Sequence, residues 1–461
     1  MTHPLIEADA AAPAIPVEIV EASGWEALRE RLSASERRFA DALGFSPKPG
    51  RHAILPDAEG GVARVLVGRE TGSPEEEAFA LGRLASVLPE GTYRLEPTPE
   101  RADLALLSFA LSAYAFTRYR SASMRRARLV APVGTDVAAL ARTIDAVAHG
   151  RDLVNTPAND LGPDGIADAV VALASRHQAE VSVIAGEDLI ARGFPMVHAV
   201  GRAADRAPRL ADLVWGPADG LKVTLVGKGV AFDTGGLDIK PSSAMALMKK
   251  DMGGAAAAIA CADMIMGSGL NVRLRLIVPA VENAISGASF RPGDVLPSRK
   301  GISVEIGNTD AEGRLILADA LALADEEAPD LLVDFATLTG AARVALGPDL
   351  PPFMTDDEAL AADLARLSAR VHDPVWRLPL WGPYDRLLDS KIADVNHISG
   401  GPHAGAITAA LFLRRFVSAA KAWVHFDVFA WNPSTRPGRP EGGEVQAARL
   451  IHALVAERAG G

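Results

Sequence analysis

Beyond residue 150 the apolar residues of this chain gather in short blocks separated by segments whose apolar positions recur at helical spacing. The blocks at residues 223–226, 272–281, 302–306, 331–336 and 423–429 are rich in Val, Ile, Leu and Phe and predict strands. Between them, residues 253–266 and 315–324 predict helices. Strands that alternate with helices and are apolar on both faces imply a mixed, largely parallel sheet flanked by helices, an α/β fold. The first 130 or so residues show shorter units. Residues 25–43, 74–88 and 99–119 read as helices, and 52–55 with 62–67 as paired strands, which predicts a smaller α/β domain. Residues 1–22, rich in Ala and Pro, predict an extended arm or a first edge strand. A connecting helix is expected over 136–153. A Pro- and Gly-rich loop, 436–444, precedes a final helix over 445–455.

Composition narrows the function classes. At 461 residues the chain can bury two or three domain cores. Its net charge of −11 argues against broad binding to nucleic acid or anionic membranes. Arg118, Arg120, Arg125, Arg126 and Arg128 cluster near Tyr114 and Tyr119, which keeps a local nucleic-acid patch in view beside the plainer reading of a solvated helix end. The single cysteine, Cys261, excludes an internal disulfide and reads as a small buried residue. The chain starts with no basic-then-apolar leader and has no long apolar run, so a cytoplasmic, membrane-free protein is the default expectation.

The candidate chemistry is concentrated in two segments. Asn308-Thr309-Asp310-Ala311-Glu312-Gly313-Arg314-Leu315 places two carboxylates and a guanidinium between a strand and a helix, where α/β sheets collect ligands. Like charges two residues apart on extended backbone point the same way and need a cation or a proton. Asp310 also fits a plain helix cap. The second segment runs from Gly227-Lys228-Gly229 through Asp233-Thr234-Gly235-Gly236 to Lys240-Pro241, followed by Met248-Lys249-Lys250-Asp251-Met252-Gly253-Gly254. Asp233, Asp251, Asp310 and Glu312 are oxygen donors and Lys228 a potential amine donor, a set suited to hard or borderline divalent ions. Four carboxylates exceed what one catalytic ion takes from protein, so two ions sharing ligands is the economical inference. The spacing around Lys228 does not match a phosphate-binding loop.

These two segments, with Arg151-Asp152-Leu153-Val154-Asn155-Thr156-Pro157 and Gly405-Ala406-Ile407-Thr408-Ala409-Ala410, resemble the leucyl (cytosol) aminopeptidases, the family designated M17. The resemblance runs from about residue 150 to the C-terminal end. It implies a small N-terminal domain over 1–131, a connecting helix over 132–154 and a di-metal catalytic domain over 155–461. It further implies a homohexamer that removes N-terminal residues from peptides using two divalent ions, Mn²⁺ or Zn²⁺ with Co²⁺ or Mg²⁺ as alternatives. Position by position, one ion falls to Lys228, Asp233, Asp251 and Glu312 and the other to Asp233, Asp310 and Glu312. Lys240 and Arg314 match the family's catalytic pair. In the family scheme an activated water attacks the first peptide carbonyl, Lys240 stabilises the oxyanion, and Arg314 holds a bicarbonate that shuttles the proton.

Met248, Thr337, Gly340 and Phe429 match positions that line the family's substrate side-chain pocket. Phe429 and Asn432 depart from the small residues usual after this strand, which puts a leucine preference in doubt. Alternation along a strand equally allows Phe429 to face the core. Two further readings stay open, a DNA-binding or scaffolding member of the family and a dipeptidase or amino-acid amidase. His397 and His403 flank Gly400-Gly401 and are expected to sit on a surface loop, with Asp394 and Asn396 serving turns. Trp381 and Tyr384 fit either a site entrance or an oligomer contact.

Overall fold

A computed structural model describes residues 3–121 and 126–460. The chain divides into two compact units, Met1–Asp145 with Ser434–Glu441, and Ala146–Pro433 with Gly442–Gly461. A helix runs from Val137 to Asn155.

The first unit is built on a six-stranded sheet of β1 (Ile6–Glu7), β2 (Ile15–Val20), β3 (His52–Pro56), β4 (Val62–Gly68), β5 (Gly91–Glu96) and β6 (Ala127–Val130), in the order β1-β6-β5-β2-β4-β3. β3 and β4 pair as the pattern predicted, in antiparallel orientation, and the other neighbours run parallel. Residues 15–20 are therefore an interior strand rather than an arm or edge. Val17 is fully buried between two partners, a role the Pro-rich flank conceals. The single helix expected over 25–43 is two helices, Trp25–Arg31 and Ala34–Ala42. Ser33 accepts from the Glu36 amide while Glu36 accepts from the Ser33 amide, a capping box that starts a new helix inside the pattern. The helix expected over 99–119 is shorter, Ala102–Ser112. In the basic cluster Arg128 pairs with Glu7 at 3.0 Å and Arg126 with Glu90 at 3.6 Å. Arg125 lies outside the described residues.

The second unit holds a larger sheet. Its strands include β7 (Glu180–Ala185), β8 (Arg209–Trp215), β9 (Leu221–Gly227), β10 (Gly229–Asp233) and β11 (Val272–Asn283). Further along come β12 (Val295–Pro297), β13 (Ser303–Glu305), β14 (Leu331–Ala336), β15 (Pro352–Met354), β16 (Trp376–Arg377), β17 (Val395–Asn396) and β18 (Trp423–Asp427). The order is β16-β15-β18-β14-β9-β11-β8-β7, with β10 also paired to β11. Its centre, β18-β14-β9-β11, is parallel, and β8, β7 and β15 add antiparallel flanks. All six residues of β14 are buried, as a strand covered on both faces must be.

Two strand expectations are corrected. Residues 303–305 do not join the large sheet but pair with β12 and β17 in a three-stranded sheet of their own. The strand expected to reach Phe429 stops at Asp427, whose carboxylate accepts from the amides of Leu338 and Thr339, and Ala430 then takes a left-handed φ of 57°.

Parallel β9, β14 and β18 bring their carboxyl ends to one edge of the sheet. The helix Gly253–Gly267 packs so closely beside them that a Cβ on Gly254 would lie 2.2 Å from the Phe335 carbonyl oxygen. Cys261 is buried in that helix. The helix Glu312–Asp325 is buried along nearly its whole length, including Leu315, Leu317 and Leu321 in the main core. Among the described residues no helix is long and apolar enough to cross a membrane.

Candidate metal centre

The strand ends set the site. Lys228 follows β9, and its amide donates to the Phe335 carbonyl, so its side chain starts inside the sheet edge. Its Nζ donates to Asp251 Oδ2 and to the Thr337 carbonyl, both at 2.8 Å, and lies 3.1 Å from Glu312 Oε1. Room for that stem exists because residue 313 is glycine; a Cβ there would sit 2.4 Å from Lys228 Cε. Asp233 closes β10. Its Oδ1 accepts from the Gly235 amide and from Asn283 Nδ2, and its Oδ2 lies 2.8 Å from Lys240 Nζ. Gly235 and Gly236 both take positive φ, which turns the chain so that Lys240 returns to the carboxylate.

Asp251 lies in the one-turn segment Met248–Met252, and its Oδ1 accepts from Thr337 Oγ1 at 2.8 Å. Asp310 lies in the turn Thr309–Ala311, which Asn308 caps by accepting from the Asp310 amide. The Asp310 carboxylate is thereby left for Lys240, 2.5 Å away. Glu312 opens the next helix and is 1% exposed. One oxygen each from Asp233, Asp310 and Glu312 lies within 4.8 Å of the others.

Electrostatics show what the cluster lacks. Burial and the neighbouring Asp233 push the Glu312 carboxyl well above its usual range and raise Asp310 to about 6. Burial alone would depress Lys228 and Lys240. The carboxylates around them more than reverse that, and both are held above the ordinary lysine value. Glu312 Oε2 is buried and has no hydrogen-bond donor among the described residues. A crowd of oxygen donors that two ammonium groups leave unsatisfied has the chemistry of a divalent-cation site, and these residues fit such ions.

Lys228, Asp233, Lys240, Met248, Asp251, Asp310, Glu312, Thr337, Gly340 and Phe429 all line one cavity of about 460 Å³. Phe429 thus faces the cavity rather than the core. Arg314 is not among the lining residues. It is buried, its Nη1 donates to the His397 carbonyl at 2.6 Å, and burial lowers the guanidinium to about 10. Asn432 is also turned away, donating to Glu444.

His397 corrects the surface-loop expectation. It is fully buried, with Nε2 2.9 Å from the Asn308 carbonyl, and burial beside Arg314 pushes it down to about 3. His403 is exposed as expected. Trp381 is exposed, and Tyr384 packs against the main core. Asp394 accepts from the Ser303 amide and hydroxyl, and Asn396 belongs to β17, so these two join strands as well as turns.

Lys250 and Arg343 line the same cavity and were not singled out from the sequence. Asn283, which donates to Asp233 and to the Thr309 carbonyl, was missed too. Its place as a polar residue ending an apolar strand was the available signal.

Comparison with known proteins agrees with this geometry. The profile of the cytosol aminopeptidase family catalytic domain matches residues 148–452, and that of the M17 aminopeptidase N-terminal domain matches 15–132. A probable cytosol aminopeptidase of Chlorobaculum tepidum is 44% identical over 61% of this chain, which spans 56% of that relative's length. One from Leifsonia xyli is 38% identical over 90% of this chain and 88% of its own. The crystal structure of a cytosol aminopeptidase from Coxiella burnetii superposes with a TM-score of 0.93 at 44% identity, covering 99% of both chains. The bottromycin maturation enzyme BotP, solved in complex with Mn, gives 0.88 at 34% identity over 97% of this chain and all of its own. A match of both profiles, over a fold shared end to end, means that this chain belongs to the cytosol aminopeptidase family, a family of metal-dependent aminopeptidases.

Proposed function

We propose that the protein hydrolyses the first peptide bond of peptides with a free N-terminus at a two-ion centre. The observation that carries this reading is the convergence of Asp233, Asp310 and Glu312 within 4.8 Å, with a buried Glu312 oxygen that has no donor. Lys228, as the neutral amine that neighbouring divalent ions would favour over the ammonium, would hold one ion with Asp233, Asp251 and Glu312, and Asp233, Asp310 and Glu312 would hold the other. Bound divalent ions supply Lewis acidity toward a carbonyl and lower the pKa of water. Mn²⁺ is the first choice, since BotP was solved with Mn, and Zn²⁺, Co²⁺ and Mg²⁺ suit the same donors.

The chain's own groups do the rest. Thr337 donates to Asp251 and accepts from Lys228, which orients both. Lys240 places an ammonium on the cavity wall, where it can donate to the oxygen that gains charge as the carbonyl is attacked. Arg314 is assigned to bicarbonate, with the support that its buried Nε has no acceptor among the described residues. Met248, Thr337, Gly340 and Phe429 surround the side chain of the N-terminal residue. A homohexamer is carried over from the family resemblance, and the cytoplasmic location expected from the sequence is supported by relatives described as cytosol aminopeptidases.

Chelation followed by readdition of metal tests the reading. Cleavage of aminoacyl substrates should vanish with chelator and return with Mn²⁺. N-acetylated peptides should remain uncut, because a capped amine cannot approach an ion as a free one does. Equal turnover of capped and free peptides, or full activity after verified metal removal, would defeat the proposal.

A further inference from the structure

On the wall of the same cavity, Lys250 is 5% exposed, and its Nζ lies 4.6 Å from the centroid of the Phe429 ring. Arg343 places its guanidinium 5.2 Å from the same ring. Among the described residues neither side chain has an ion-pair partner, and the Lys250 ammonium has no hydrogen-bond acceptor. The carboxylates nearest in the fold are already committed. Asp251 is bound by Lys228 and Thr337, and Asp427 accepts from the amides of Leu338 and Thr339 and from Thr339 Oγ1.

A buried ammonium without an anion is unfavourable, and an aromatic face offsets only part of that, because the ring leaves the N–H donors unused. In a chain of net charge −11, this buried ammonium, with the solvent-exposed Arg343 guanidinium over the same ring, marks a place built to receive negative charge. Resting on the aminopeptidase reading above, we infer that this wall selects peptides whose N-terminal residue is Asp or Glu, with Lys250 and Arg343 as counter-ions of its side-chain carboxylate. The side chain, rather than a peptide's C-terminal carboxylate, is assigned there because Phe429, Met248, Thr337 and Gly340 form the wall around it. A leucine side chain in the same place would leave the ammonium desolvated against methyl groups.

The test uses the Mn²⁺-loaded protein and the 7-amido-4-methylcoumarins of glutamate, aspartate, leucine and lysine, none of which has a free C-terminal carboxylate. The glutamyl or aspartyl compound should be cleaved with a kcat/KM about tenfold or more above the leucyl one. Lys250→Met should lower that value by about 10- to 100-fold and raise leucyl turnover, and Arg343→Gln should give a smaller loss of the same sign. Calorimetry supplies a readout apart from turnover, in which L-glutamate should bind more tightly than L-leucine and Lys250→Met should remove the difference.

A leucyl or lysyl preference in the native protein overturns the inference while leaving the aminopeptidase reading intact. So does a proportionate loss of glutamyl and leucyl turnover in Lys250→Met. An acidic preference seen only with peptides bearing a free C-terminal carboxylate overturns the side-chain assignment. If no aminoacyl compound is cleaved with Mn²⁺, Co²⁺ or Zn²⁺, both readings fall.

Discussion

Two groups of charges that line one cavity, the carboxylate cluster and the pair over Phe429, are built on opposite electrostatic plans. In the carboxylate cluster each charged group is tied to others, with Lys228 shared by Asp251, Glu312 and Thr337, and Lys240 spanning Asp233 and Asp310. Over Phe429 two cations rest on a ring without an ion-pair partner among the described residues. Reciprocal pairing fixes geometry, as a step common to all substrates requires. An unmatched charge leaves a difference in affinity for the incoming side chain to express.

Perturbing the two groups separately should separate these effects. Glu312→Gln should give the largest, a fall on the order of 10³-fold in kcat/KM for every aminoacyl substrate alike, with reduced Mn²⁺ content by elemental analysis. A loss that varied strongly with the substrate's side chain would break the distinction between the two groups.

The packing of His397 against Arg314 and Asn308 should show in acid. His397 is held neutral in the fold down to about 3, whereas the unfolded chain protonates near the ordinary value of 6.5. Its contribution is therefore complete above 6.5 and lost as pH falls from 6.5 toward 3. The loss is about 1.4 kcal/mol per pH unit, or about 2 kcal/mol by pH 5. Urea unfolding at pH 7 and pH 5 should show it, and in His397→Gln the difference between the two pH values should shrink by that amount.

Phe429→Ala should give the smallest effect, re-ranking substrates by about tenfold while Mn²⁺ content stays at the native level. Loss of metal in this variant would join what the comparison separates.

How much of this was legible in the sequence depended on how local the signal was. The carboxylates, Lys228, Lys240 and Met248 lie in two contiguous glycine-marked segments, so their spacing could be read directly. The central strands announced themselves because burial on both faces makes apolar runs. The antiparallel flanks β7 and β8 did not: β7 is largely exposed, with a Glu180-Val181-Ser182-Val183 start that resembles a loop. Ser33 broke a helix that periodicity alone continued. His397 was misread because Gly400-Gly401 pointed to an exposed loop, whereas pairing of β17 with β13 carries the residue inward. Lys250 was hidden by its neighbours, in a run where Met248 and Asp251 drew the chemistry, and Arg343 reaches the wall from a helix with no motif of its own. Burial and the absence of a partner are tertiary facts.

The backbone at Phe429 is held from elsewhere. Its amide and that of Ala430 both donate to Gln446 Oε1, and Gln446 Nε2 donates to the Pro348 carbonyl. Ala430 in turn sits where a Cβ on Gly253 would meet its own at 2.1 Å, directly after the turn that carries Asp251. An engineer wishing to change which amino acid is released could therefore vary the aromatic at 429 freely, while positions 253 and 430 tolerate no added bulk without shifting the metal-bearing turn.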